Sequence, residues 1–185
     1  MDTKISKLVL TLTVIGVISA VALSFVYQWT NPYIQKHQAE ARQQAIRSVI
    51  PEAEEFEEVE KKGKTFYEGY DSGGNRVGVA MIASGPGYQN VIELMIGVNL
   101  NSEQIYGIKI LGHEETPGLG ARITGEEYKS NYVDKPFGDY TVVKREPQSE
   151  LEVEAIAGAT ISSNSVAKIV ESAVKQIQDA YGGGA

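Results

Sequence analysis

Hydrophobic and polar positions change rhythm along the chain. From Leu8 to Tyr27 the stretch LVLTLTVIGVISAVALSFVY holds 20 residues without a charge, and as a helix it would be about 30 Å long, the thickness of a bilayer's hydrocarbon core. This predicts a transmembrane anchor. Tyr27, Trp29 and Tyr33 follow it, where aromatic rings favour the membrane interface. Asn31-Pro32 then reads as a fresh helix start with Pro early in the first turn, and good helix formers continue through Ile50 until Pro51. The expected segments are 1–7 on the cytoplasmic side, an anchor over 8–27, a helical stalk over 28–50 and a folded domain over 51–185.

Within the domain the period changes to that of strands. The acidic EAEEFEEVE is a linker or a strand with Phe56 and Val59 turned inward. KTFYEGY, NRVGVAMIA and VIELMIGVNL are β-branched and aromatic runs parted by glycine-rich turns, which predicts antiparallel strands. NLNSEQIYGIKIL reads as a hairpin turning at Asn101 to Glu103, with Ile105, Ile108 and Ile110 in the core. GEEYKSNYV suggests a short helix, and DYTVVK and LEVEAIA suggest later strands. Val166, Ile169, Val170, Ala173, Val174 and Ile177 recur every three or four residues, the stripe of an amphipathic helix. Ser162, Ser163 or Asn164 would cap its start, and the glycines after Tyr181 would end it. The fold class is therefore α+β, antiparallel strands with flanking helices behind one N-terminal transmembrane helix.

Charge fixes an orientation. Lys4 and Lys7 precede the apolar run against a single Asp2, so the N-terminus should stay cytoplasmic and the domain should lie outside. A cleaved signal peptide is the alternative, with Ala20-Val21-Ala22 as a small-x-small site, but the apolar run continues past it to Val26. The chain carries a net charge of −7 over 185 residues, which argues against a nucleic-acid partner. Without Asp2, Lys4 and Lys7, 23 acidic residues remain against 15 basic, so adhesion to anionic lipid is not expected either. The absence of cysteine excludes disulfides, thiolate iron–sulfur clusters and cysteine–zinc sites. Redox chemistry would then need an organic cofactor.

Few residues offer chemistry of their own. His113 is followed by Glu114 and Glu115, but the only other histidine, His37, falls in the stalk, which leaves a metal site short of ligands. GPGYQN, Gly85 to Asn90, lacks the third glycine of a dinucleotide fingerprint and the lysine of a P-loop, and reads as a turn. Two glycine-rich stretches remain. GHEETPGLGAR, Gly112 to Arg122, would let backbone approach a flat ligand, or is an ordinary long loop. EAIAGATISSNSV, Glu154 to Val166, sets Thr160 among small residues ahead of the last helix, where a phosphate would meet free N–H groups and the positive end of the helix dipole. Capping and turn-making explain that stretch equally well.

These motifs carry a resemblance. With one anchor, a stalk, GYQNVIELMIGV, HEETPGLGAR and the late GAT in that order, nearly the whole chain resembles the flavin-bearing G subunit of the Rnf electron-transport complex. It is more distantly similar to the C subunit of the sodium-pumping NADH:quinone reductase. The resemblance implies an FMN-binding domain whose Ser/Thr-Gly-Ala-Thr motif takes FMN through a phosphoester on its last threonine, here Thr160, made by a separate flavin transferase. Gly158, Ala159 and Ser162 belong to that motif, and Glu115, Thr116, Gly118 and Leu119 of the ETPGLG loop would line the flavin ring. Ala157 stands where the family has Ser or Thr, Glu154 where it has Asp, and Ser162 where it has Thr. The implied role is an electron-transfer protein with covalent FMN outside the cytoplasm, within a complex that moves electrons between ferredoxin and NAD and translocates an ion. Its partners would be the other membrane and peripheral subunits. The alternatives are a free-standing anchored flavin reductase and a non-redox binding module.

Overall fold

The computed structural model describes residues 2–182. Helix α1 runs from Asp2 to Val49 with Pro32 inside it. The expected break ahead of a separate stalk helix is therefore absent. Proline there removes one backbone hydrogen bond and crowds the carbonyl of Gln28, and the long run of helix formers on both sides carries the helix through. Its Ser6–Ile34 stretch of 29 residues, whose most apolar 18-residue window has a mean hydropathy of 2.5, is long and apolar enough to cross a membrane. The side chains of Lys4 and His37 lie outside the described residues, as do Gly183 and Gly184 of the terminal glycine run.

The chain forms two compact units, the second beginning at Gln44. In that second unit a sheet has the order β1 (Glu55–Lys61), β2 (Lys64–Tyr70), β3 (Arg76–Pro86), β4 (Val91–Asn99), β5 (Gln104–Gly112) and β6 (Lys135–Pro136). Every neighbouring pair is antiparallel. The acidic stretch is thus strand β1, at the sheet edge, with Phe56 and Val59 half-buried. A row of charges on an edge strand discourages pairing with another chain.

Both faces of the sheet are covered, which is why its central strands read as nearly continuous apolar runs. On one face Val79, Met81 and Ala83 of β3 and Ile92, Leu94, Ile96 and Val98 of β4 pack against helix α3 (Thr160–Tyr181) through Val166, Val170, Ala173 and Ile177. On the other, Tyr67, Ala80 and Met95 meet Ala45, Ile46, Val49 and Ile50 from the end of α1. The pleat's period of two produces this division. Gly69, Gly78 and Gly97 face that end of α1, and a Cβ on Gly69 or Gly78 would stand 2.7 Å from Ala53 or 2.8 Å from Ile50. Bare backbone on three adjacent strands lets the helix end lie close on the sheet.

Ile105 and Ile108 of β5 are buried and Ile110 packs half-buried against the same core, as the hairpin reading expected. GEEYKSNYV forms α2 (Glu126–Lys129) and a 3-10 turn over Ser130–Tyr132. Tyr128, Tyr132 and Tyr140 stack edge to face with centroids 5.9 and 5.8 Å apart, and the Tyr128 hydroxyl donates to the Ser163 carbonyl at 3.1 Å. This ties α2 to the first turn of α3. The later strands β7 (Thr141–Val143) and β8 (Glu152–Glu154) pair in parallel, in a small sheet of their own. Their pairing fixes where the segment before α3 leaves the sheet.

The far end of α3 is held by Glu68, which is buried in β2. Its carboxylate accepts from Lys61 Nζ at 2.7 Å and Tyr70 Oη at 2.6 Å, and Lys61 lies 3.8 Å above the Tyr181 ring. Burial works to raise the Glu68 carboxyl, but Lys61, Tyr70 and Tyr181 overcome it and bring it to about 2, against an ordinary 4.5. A depressed carboxyl stabilises the fold fully above its unfolded value and loses that contribution as pH falls from about 4.5 towards 2. Glu68→Gln should cost about 2 kcal/mol at neutral pH and flatten the acid limb of stability over that window, as urea denaturation across pH would measure.

Candidate cofactor-binding site

A cavity of about 600 Å³ opens where three segments meet: the turn after β3, the loop after β5 and the first turn of α3. Its size suits a small organic ligand. Thr160 lines it as the first residue of α3, half-buried. The helix thus begins at least three residues earlier than the serine caps would have it. Ala159 takes the capping position without a side-chain hydrogen bond, because the candidate caps are engaged elsewhere. The Ser163 hydroxyl accepts from the Ile156 N–H and donates to the Ala159 carbonyl, both at 3.0 Å. The Asn164 amide donates to the Thr160 carbonyl at 2.7 Å. The Thr160 hydroxyl makes no hydrogen bond among the described residues.

Residues 156–159 form a tight turn closed by the Ala159 N–H on the Ile156 carbonyl at 2.9 Å. Gly158 sits in it at φ +80, where a side chain would be strained, and an added Cβ would lie 3.2 Å from Leu119. Leu119 therefore packs over the glycine of the GAT stretch. Its side chain remains about half exposed and lines the cavity with Thr116 and Glu115.

Glu115 has a different environment from that expected of a ring-lining residue. It is only 4% exposed, and its carboxylate accepts from the backbone N–H of Tyr88 at 2.8 Å and of Gln89 at 3.1 Å, and from the Ser162 hydroxyl. Burial would raise this carboxyl, but Ser162 and the Gln89 and Tyr88 amides outweigh it and hold it below the usual value. Gly120 makes the space, since a Cβ there would stand 2.5 Å from the Glu115 carboxylate and 2.7 Å from Ser162 Oγ. His113 accepts the Glu115 N–H on Nδ1 at 3.1 Å, a turn contact. Gly118, at φ +78, lines an adjacent polar cavity with Arg122 and shares only the 154–157 segment with the first. Of the eight site residues expected from the sequence, seven line one cavity and Gly118 does not.

The structure adds residues that sequence reasoning missed. Tyr88, 63% exposed, lines the cavity from the turn after β3, as does Ile161 from α3. An aromatic on an exposed glycine-flanked turn was a signal that could have been read. Lys144, the one Lys or Arg lining the cavity, follows β7 and carried no such signal. Among the described residues no group of three or more His, Asp or Glu could hold a metal ion.

Residues 87–175, which contain all three cavity-forming segments, match the family model of the FMN-binding domain. The chain is 36% identical over 182 residues to the G subunit of an ion-translocating oxidoreductase complex from Methanosarcina acetivorans, covering 94% of this chain and 95% of that one. It is 31% identical to the G subunit of the proton-translocating ferredoxin:NAD(+) oxidoreductase complex of Clostridium ljungdahlii, covering 93% and 91%. The chain belongs to the family of G subunits of ion-translocating, Rnf-type oxidoreductase complexes. Its fold is shared with a crystal structure of the C subunit of the Na(+)-translocating NADH-quinone reductase from Parabacteroides distasonis, at TM-score 0.60, 21% identity and coverage of 76% and 92%. NqrC of Shewanella oneidensis aligns at TM-score 0.54 and 20% identity, covering 63% and 61%.

Proposed function

We propose that this chain is the flavin-bearing subunit of an Rnf-type ion-translocating oxidoreductase complex, anchored by α1, with FMN joined through a phosphoester to Thr160 on the extracytoplasmic side. The observation that carries the reading is the half-buried Thr160, its hydroxyl without a hydrogen bond among the described residues, at the start of α3 on the wall of a cavity sized for the ligand. The residues fit FMN. Without a capping side chain at Ala159, N–H groups in the first turn of α3 are available to a phosphate, which the helix dipole also favours. Leu119, Tyr88 and Ile161 supply apolar surface for a flat ring, and Lys144 supplies positive charge.

When bound, FMN would accept and pass on electrons between neighbouring subunits. The chain's own part is to hold it. Thr160 would tether the phosphate, Gly158 lets Leu119 close over the turn, and the Glu115 contacts keep the loops in register. A covalent tether prevents loss of the cofactor on a side of the membrane where released flavin would diffuse away. Attachment requires a flavin transferase acting from outside the domain, and the exposed Ala157 beside Gly158 leaves the turn open to it. Residues 1–7 would then be an N-terminal tip, 8–27 the membrane span and 28–50 a stalk whose last residues, from Gln44, already belong to the compact unit of the flavin domain.

Tagged full-length chain, extracted in mild detergent from cells that express the transferase, tests the reading. The expected result is a yellow protein that co-purifies with other membrane subunits and a C-terminal reporter active only outside the cytoplasm. A colourless chain, or one that is coloured but purifies alone, would reject it, the second outcome in favour of a free-standing reductase. A strictly cytoplasmic reporter signal would overturn the orientation.

A further inference from the structure

We infer that Glu115 is a positioning residue that clasps the cofactor cavity together and sets a fixed negative charge beside it, lowering the reduction potential of the bound flavin. The inference rests on the flavin reading above and goes beyond it.

One carboxylate gathers the whole site. Oε1 accepts from the Tyr88 and Gln89 N–H groups in the turn after β3, Oε2 accepts from Ser162 in the first turn of α3, and Glu115 itself belongs to the loop after β5. The space around it is built rather than incidental. A Cβ at Gly87 would collide with Oε1 and one at Gly120 would stand 2.5 Å from Oε2, so both flanking glycines are needed for the carboxylate to fit. All three donors are neutral, and among the described residues Glu115 has no ion-pair partner. Hydrogen bonds satisfy its oxygens, and His113 nearby favours its negative charge, but no salt bridge neutralises that charge at 4% exposure, where water screens it weakly.

The consequence follows from Coulomb's law. Reduction puts electrons from a donor onto the flavin, and a neighbouring buried anion opposes that gain of negative charge. Lys144 works in the other direction, but it is exposed, where water screens its effect more strongly. A carboxylate that served only to hold backbone could be exchanged for a neutral side chain of the same shape without effect on potential.

The test compares full-length chains flavinylated by the co-expressed transferase, titrated at neutral pH with dithionite and mediators. Glu115→Gln keeps the shape and removes the charge. It should raise the reduced-to-oxidised ratio at a fixed potential about tenfold, about 30 mV for the two-electron couple. Ser162→Ala removes one donor and keeps the charge, and should change that ratio less than about threefold, about 14 mV on the same scale. Glu115→Met, apolar and of similar length, repeats the measurement if the glutamine variant is not recovered, and must shift it in the same direction. In the apoprotein it should also speed amide exchange at Tyr88 and Gln89. Equal shifts in Glu115→Gln and Ser162→Ala, or no shift in a flavinylated Glu115 variant, would overturn the inference. A wild-type chain without covalent flavin would instead overturn the proposed function.

Discussion

Thr160→Ala, co-expressed with the flavin transferase, is expected to abolish the flavin fluorescence that survives denaturing electrophoresis. The effect should be all or none, because a phosphoester needs a hydroxyl and the neighbours cannot supply one. Ala157, Gly158 and Ala159 have none, and Ile161 follows. Ser162 and Ser163 are 2% and 0% exposed, with their hydroxyls engaged by Glu115 and by the Ile156 and Ala159 backbone. Ser163→Ala should therefore keep the fluorescence while costing about 1–3 kcal/mol of stability, since the Ile156 N–H loses its acceptor in a buried place. That exceeds the loss of a surface cap. Fluorescence retained by Thr160→Ala would redirect attention to Thr116, another aliphatic hydroxyl on the cavity wall.

Gly97→Ala should destabilise the flavin domain by roughly 3 kcal/mol or more, among the larger effects of a single added methyl. A Cβ at Gly97 would sit 2.6 Å from the carbonyl carbon of Val49 and 2.9 Å from its Cβ, against backbone rather than a movable side-chain end. Val49 is 1% exposed and belongs to the cluster that holds the end of α1 on the sheet, so relief requires moving that helix end off its seat. Gly107, opposite Gly97 on β5, is the control. A Cβ there meets only Val133, at 4.0 Å, and Gly107→Ala should change stability by less than about 1 kcal/mol. Urea denaturation of both variants separates a steric cause from a general intolerance of side chains in these strands.

The extent to which the sequence revealed this molecule follows from how local each signal is. Strands β2 to β5 were legible as β-branched and aromatic runs between glycine-rich turns, buried almost continuously, and helix α3 because its apolar residues recur with the helical period. Pro32 misled, because proline's preference for a first turn is a local rule and the helix formers on both sides prevailed over it. The start of α3 was misread for a related reason. Serines are good caps in isolation, but Ser162 and Ser163 find partners in Glu115, Ile156 and Ala159, contacts that exist only once the chain is folded. The site motifs were legible as glycine-rich stretches whose backbone must come close to something. What they come close to was not: Gly87 and Gly120 make room for a buried carboxylate, and Gly158 for Leu119. Lys144 escaped notice because only the parallel pairing of β7 with β8 carries it to the cavity.

The central claim is that Thr160 carries the flavin, and peptide mass spectrometry of the full-length chain co-expressed with a flavin transferase tests it most directly. The account predicts a proteolytic fragment containing Thr160 that is heavier by one FMN less one water, with fragment ions that put the added mass on that threonine. An unmodified Thr160 in a chain that is yellow, or the same added mass on Thr116, Ser162 or any other residue, would contradict it.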